Sequence, residues 1–106
     1  MHKIIAVMDA KADCFDFPFF QQSIAEAERS FKQIVNDPKS KFWAFPEDFD
    51  LYLLGEYDKN TGTVVPLKTP THLVKAINLI DRKKKESIEQ MMLQKETNVS
   101  ELHAQN

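Results

Sequence analysis

Val35-Asn36-Asp37-Pro38, Phe45-Pro46-Glu47-Asp48-Phe49-Asp50-Leu51-Tyr52 and Gly55-Glu56-Tyr57-Asp58-Lys59-Asn60-Thr61-Gly62 follow one another between Val35 and Gly62. Turn formers and large apolar residues are interleaved there too regularly for a linker. Asn36-Asp37-Pro38 predicts a helix stop, because the residue before a proline avoids the helical region and Asn or Asp tolerates the terminating conformation. Phe49, Leu51 and Leu53 alternate with Asp50, Tyr52 and Leu54, the period of a strand with one strongly buried face, expected over Phe49 to Tyr57. Asp58 to Gly62 supplies turn formers and then a glycine able to take positive φ, as a hairpin loop with a bulge requires.

Working outward, Ile4 to Met8 is a short, β-branched apolar run closed by Asp9, which suits a buried first strand. Phe15-Asp16-Phe17-Pro18-Phe19-Phe20 is expected to be extended but irregular, since Pro18 discourages helix at Phe17 and removes a ladder donor. Ser23-Ile24-Ala25-Glu26 has the form of a capping box. The helix it opens places Ile24, Ala27, Phe31, Ile34 and Val35 on one side and Glu26, Glu28, Arg29, Lys32 and Gln33 on the other. Lys39 to Glu47 reads as a loop. After the hairpin, Thr63 to Leu67 predicts a third strand. Thr69-Pro70 then reads as a cap before a first-turn proline, with Leu73, Ala76, Ile77 and Ile80 as the stripe of a second helix. The expected order is strand, helix, strand, strand, helix: an α+β domain over residues 1–81 whose helices cover one face of a small, partly antiparallel sheet. Phe20, Phe31, Phe49 and Leu53 are assigned to its core.

Residues 82–106 differ in composition. Arg82-Lys83-Lys84-Lys85 is followed by a weak stripe of Ile88, Met91 and Met92, with Lys85 and Glu89 an i,i+4 pair worth at most about 0.5 kcal/mol. A basic, partner-dependent helical extension to about Glu96 is expected, and disorder from Thr97 to Asn106. In all, the 106 residues are 42% hydrophobic and 28% charged, with a formal net charge of −2. Those values fit one globular domain and exclude a globally basic, histone-like binder. A core this small makes a homodimer a natural expectation. Cys14 is the only cysteine, so no internal disulfide or cysteine-based zinc cluster is expected, and a reducing, cytosolic setting fits. The apolar start is too short for a signal peptide or membrane span. Asn98-Val99-Ser100 matches a glycosylation sequon, read as chance in that setting.

Catalytic chemistry finds little support. Asp9, Asp13, Asp16, Glu47, Asp48, Asp50 and Asp58 match no Mg²⁺ signature, and turn or solvated roles account for them. Cys14 with His2 or His72 would be a nucleophile and base only if folding joined them. His72 reads as a neutral structural histidine. No enzyme activity, cofactor or metal is expected.

Phe17-Pro18-Phe19-Phe20, Ala27-Glu28-Arg29-Ser30-Phe31, Val35-Asn36-Asp37-Pro38, Pro46-Glu47-Asp48-Phe49, Leu51-Tyr52, Gly55-Glu56-Tyr57-Asp58 and Thr61-Gly62 together resemble the small nonstructural protein of gokushoviruses, single-stranded DNA phages of the microvirus family. The resemblance runs from about Ile4 to Ile80 and leaves out the tail from Arg82. It implies a phage protein made in the bacterial host cytoplasm, absent from the mature virion and described as DNA-binding, with a role in single-stranded genome synthesis or packaging. It carries no catalytic residues.

The residues themselves offer two candidate DNA contacts. Lys68, Lys75 and the Arg82, Lys83, Lys84, Lys85 tract are placed to meet phosphates, or else form a solvated face. Among many aromatics (Phe15, Phe17, Phe19, Phe20, Phe42, Trp43, Phe45, Tyr52, Tyr57), Phe42 and Trp43 lie in the loop beside Lys39 and Lys41, where base stacking and dimer packing compete. A phosphate at the amides near Ser23 or Thr71 is the weaker option beside ordinary capping. The alternative function is a non-enzymatic homodimeric adaptor for a viral or host replication protein, using an exposed sheet edge or the Ile88, Met91, Met92 stripe.

Overall fold

The computed structural model describes the backbone of residues 1–104 and the side chains of residues 1–94. Its centre is β1 (His2–Asp9), whose Ile4, Ile5, Ala6 and Val7 are all buried, so both faces of this strand are covered. β2 (Cys14–Phe15) and β3 (Phe19–Gln21) pair antiparallel with successive lengths of β1. Pro18 separates these two, which is the physical content of the irregularity expected there. The reversal between β1 and β2 places Asp13 at φ 55°, and Asp9 Oδ1 accepts from the amides of Lys11 (3.0 Å) and Ala12 (3.2 Å). β4 (Phe49–Asp58) pairs antiparallel with β1, and β5 (Thr63–Lys75) with β4. The sheet order is therefore β2-β1-β4-β5, with β3 also on β1.

Helix α1 (Ile24–Val35) starts as expected, with the Ser23 hydroxyl accepting from the Glu26 amide at 3.1 Å. Its Ala27, Phe31 and Val35 meet Ile5, Val7, Phe49 and Leu51 in the main core, closed at one end by Ala76. Burying side chains of this size stabilises by about 1.5–3 kcal/mol each. The stretch expected as a loop holds a short helix, α2 (Lys41–Ala44), capped by Ser40, and a 3-10 turn at Pro46–Asp48. The α+β class with an antiparallel sheet and helices on one face is observed.

Two further expectations need correction. No helix starts at Thr69-Pro70: β5 runs on to Lys75, a 3-10 turn occupies Ala76–Leu79, and the next helix, α3, is Arg82–Ala104. The Thr-Pro cue is local, whereas pairing of Thr71, His72, Val74 and Lys75 with β4 is not, and an edge strand tolerates proline where its missing donor faces outward. Phe20 is 54% exposed and is not core. The backbone of α3 is helical to Ala104. The disorder expected from Thr97 falls on side chains outside the described residues, and Gln105 and Asn106 lie outside them altogether.

The β4–β5 hairpin turns on Gly62 at φ 73°, whose amide donates to the Asp58 carbonyl at 2.8 Å. Further along, Gly55 faces Pro66 and Leu53 faces Thr71, so Leu67 to Pro70 bulge opposite Leu54 alone. Just before that bulge the strands come very close. A Cβ on Gly55 would sit 2.5 Å from the Val65 carbonyl oxygen and 2.9 Å from Pro66 Cα, both backbone atoms that cannot swing aside. Gly55→Ala is expected to lower stability by about 1–3 kcal/mol, read as a lower urea midpoint. An unchanged midpoint would mean that the hairpin separates there at no cost.

At the same end of the sheet Lys3 forms an ion pair with Glu56 across β1 and β4. The hydrogen bond from the Lys3 ammonium, and then its charge, hold the Glu56 carboxyl below the ordinary glutamate range. A carboxyl lowered by folding stabilises above its unfolded range, and the contribution is lost as pH falls through the folded one. The pair is part-exposed, so the effect is small. The urea-midpoint difference between wild type and Glu56→Gln should shrink on going from about pH 7 to about pH 3; a difference constant across that window would exclude the pair as its source.

Candidate nucleic-acid interface

Strand alternation sorts the sheet into two faces. Ile5, Val7, Phe49 and Leu51 point to α1. The residues between them point the other way, and register brings them into rows. Phe15 pairs with Met8, Met8 with Asp50 and Asp50 with Lys75, while Ala6 and His72 flank Tyr52. Nearer the hairpin, Phe20 pairs with Ile4, and His2 and Val64 flank Tyr57. Ile4 and Ala6 are buried but stand apart from the main core cluster, as expected of apolar residues roofed by the aromatics of this second face.

The rings make contact across strands. Phe15 meets Tyr52 edge-to-face at 5.4 Å and 88°, and Tyr52 meets His72 at 5.3 Å and 85°. A second pair, Phe20 and Tyr57, lies at 5.4 Å and 53°. Such pairs contribute about 0.5–1.5 kcal/mol each beyond area burial. His72 Nε2 is 2.8 Å from Asp50 Oδ2, which fixes the imidazole at the end of its row. Phe15 is 37% and Phe20 54% exposed. The result is an aromatic surface on the face turned away from α1, with Lys75 beside it and Lys68 in the neighbouring bulge.

The sequence-predicted contacts scatter over three places. Phe42 packs against the main core, with ring contacts to Phe31 at 5.4 Å and Phe49 at 4.7 Å. Lys41 bonds Asp16 at 3.0 Å and lies 5.4 Å from both the Phe42 and Phe49 rings. Trp43 is half-buried beneath Lys85, whose Nζ donates to the Trp43 carbonyl at 2.6 Å and sits 4.9 Å from its ring. Lys39 is exposed at the loop after α1. Arg82 and Lys83 are exposed on α3, and Lys84 turns toward α1, where it lines a depression with Arg29 and Lys32. Only Lys75 stands on the aromatic face. Phe15, Tyr52, Tyr57 and Phe20 were visible as aromatics, but their grouping depends on long-range register; the alternation that sends Tyr52 away from Leu51 was the one local signal for it.

Among the described residues, no three of His, Cys, Asp and Glu gather as a cation site, and no helix is long and apolar enough to cross a membrane. Residues 2–79 match the family described as Phage ORF5 protein. The chain belongs to that family. The matched span takes in β1 through β5 and every aromatic residue of the open face, while α3 lies beyond it. No curated protein and no solved structure matches the chain.

Proposed function

We propose that this phage protein binds single-stranded DNA on the open face of its sheet, serving viral genome synthesis or packaging without catalysing a reaction. The observation that carries this reading is the Phe15, Tyr52, His72 row with the Phe20, Tyr57 pair, an aromatic array on the face turned away from α1. Stacking on such rings is worth about 1–3 kcal/mol per base and is tolerant of sequence. It also requires unpaired bases, so single strands should be preferred over duplex. The host cytoplasm, where genomes are copied, is the matching location.

Titration with a short oligothymidylate, following tyrosine and tryptophan emission separately at two salt concentrations, tests the reading. Tyr52 and Tyr57 are expected to be quenched, while Trp43, covered by Lys85 on the helix side, changes little. Absence of any response at micromolar concentrations and low salt would overturn it.

A second reading, a homodimeric adaptor for a viral or host replication protein, is favoured by the exposure of Met91 (60%) and Met92 (46%) on α3. The sheet edge is a poorer contact for that role, because Pro66 and Pro70 withhold donors along β5.

A further inference from the structure

Helix α1 turns Ala27, Phe31 and Val35 to the sheet. Arg29, Lys32, Gln33 and Asn36 recur at i, i+3, i+4 and i+7, which places them together on its outward side. At the C-terminal end of that stripe, the Asn36 side chain acts as a clamp. Its Nδ2 donates to the Lys32 and Leu79 carbonyls, both at 2.9 Å, and its Oδ1 accepts from the Asp81 amide at 2.7 Å. The clamp fixes the start of α3 beside the end of α1. Asp81 Oδ1 then accepts from the Lys84 amide at 3.1 Å, and the Lys84 side chain joins Arg29 and Lys32 around an open depression of about 320 Å³.

Three cations thus line one depression, together with Gln33, Asn36 and a single carboxylate, Asp81. Among the described residues none of the three is in an ion pair, whereas Lys3 and Lys41 both are. Glu28 lies one turn before Lys32 without pairing to it, and the Asp81 carboxylate is occupied in capping α3. A convergence of unpaired guanidinium and ammonium groups suits a phosphodiester, since Arg presents a planar fork and Lys a point charge to phosphate oxygens.

We propose that Arg29, Lys32 and Lys84 form a second phosphate-backbone site, on the opposite side of the molecule from the aromatic face, through which one protein holds two segments of single-stranded DNA. This rests on the proposed function, because the first segment is the one stacked on the sheet. A full sheet and a full helix separate the two sites, so a short oligonucleotide occupies one or the other. The molecule is then a bridge between strand segments.

The test compares the full-length wild type with Arg29→Gln/Lys32→Gln/Lys84→Gln, mixing donor- and acceptor-labelled oligothymidylates of about four nucleotides, the low end of single-strand site sizes, with limiting protein. Wild type is expected to bring the two labels together. The triple variant should lose most of that energy transfer while retaining tyrosine quenching with its salt slope unchanged; in wild type the transfer should fall with salt more steeply than the quenching, by about 2 in slope at roughly 0.7 per phosphate contact on a single strand. Arg29→Lys/Lys32→Arg/Lys84→Arg, which keeps the charges, should restore transfer and so separate loss of charge from damage to the fold. Transfer unchanged in the glutamine variant overturns the second site while leaving the aromatic face standing; any bridging would then come from self-association. No binding by wild type overturns both.

Discussion

Replacing Phe15 and Tyr52 together by alanine is expected to weaken oligothymidylate binding at least about 30-fold, taking the lower end of about 1–3 kcal/mol per stacked base for each ring. The two rings touch at 5.4 Å, so the combined loss should differ from the sum of the single losses. Anisotropy of a labelled oligonucleotide is the suitable readout, because the variant removes one of the intrinsic reporters. Tyr52→Phe keeps a ring of the same shape and should bind within a few-fold of wild type, which separates stacking from the hydroxyl. The double variant also unroofs Ala6, which pairs with Tyr52 and is fully buried. A melting curve must therefore show a folded protein at the assay temperature. If the folded double variant binds as wild type does, the open face is not the DNA surface. Substitution of Lys39, by contrast, should change affinity little, since that residue lies on the loop after α1 and away from the aromatic rows.

That contrast shows where the sequence could be read and where it could not. The helix start at Ser23, the alternation from Phe49 and the turn ending at Gly62 are local features, and each is found where the residues place it. Thr69-Pro70 misleads for the converse reason. Its capping pattern and the Leu73, Ala76, Ile77, Ile80 spacing are local, but the ladder from Asp50 to Lys75 and from Tyr52 to His72 prevails, and strand pairing of that kind leaves no periodicity of its own. The same non-locality hid the candidate site. Phe15, Tyr52 and His72 come from three strands and converge only through register. The loop aromatics drew attention because loops tend to be exposed, yet α2 turns Phe42 inward between Phe31 and Phe49. Asn36 was legible as a helix stop, but its grip on Leu79 and Asp81 spans more than forty residues of sequence and no local pattern encodes it.

The largest expected loss of stability comes from Phe49→Ala. Phe49 is 4% exposed at the start of β4 and packs edge-to-face on Phe42 at 4.7 Å and 89°. Removing a buried phenylalanine costs about 3–5 kcal/mol, through lost transfer energy and the cavity left behind. The whole domain is held by only about 5–15 kcal/mol. At about 4–8 °C per kcal/mol for a domain of roughly this length, the melting temperature should fall by about 12 °C or more. Phe49→Leu fills most of the space and should cost far less. A melting temperature for Phe49→Ala within a few degrees of wild type would show that this end of the sheet is not part of the cooperative core. The two aromatic layers also make a prediction about each other. Phe49 and Tyr52 lie on opposite faces of one strand, so Phe49→Leu should lower stability without changing the affinity of the folded protein for single-stranded DNA, whereas Tyr52→Ala should lower affinity more than it lowers the melting temperature. Stability and binding that fell in proportion in both variants would mean that the outer aromatics are a second core and the DNA surface lies elsewhere.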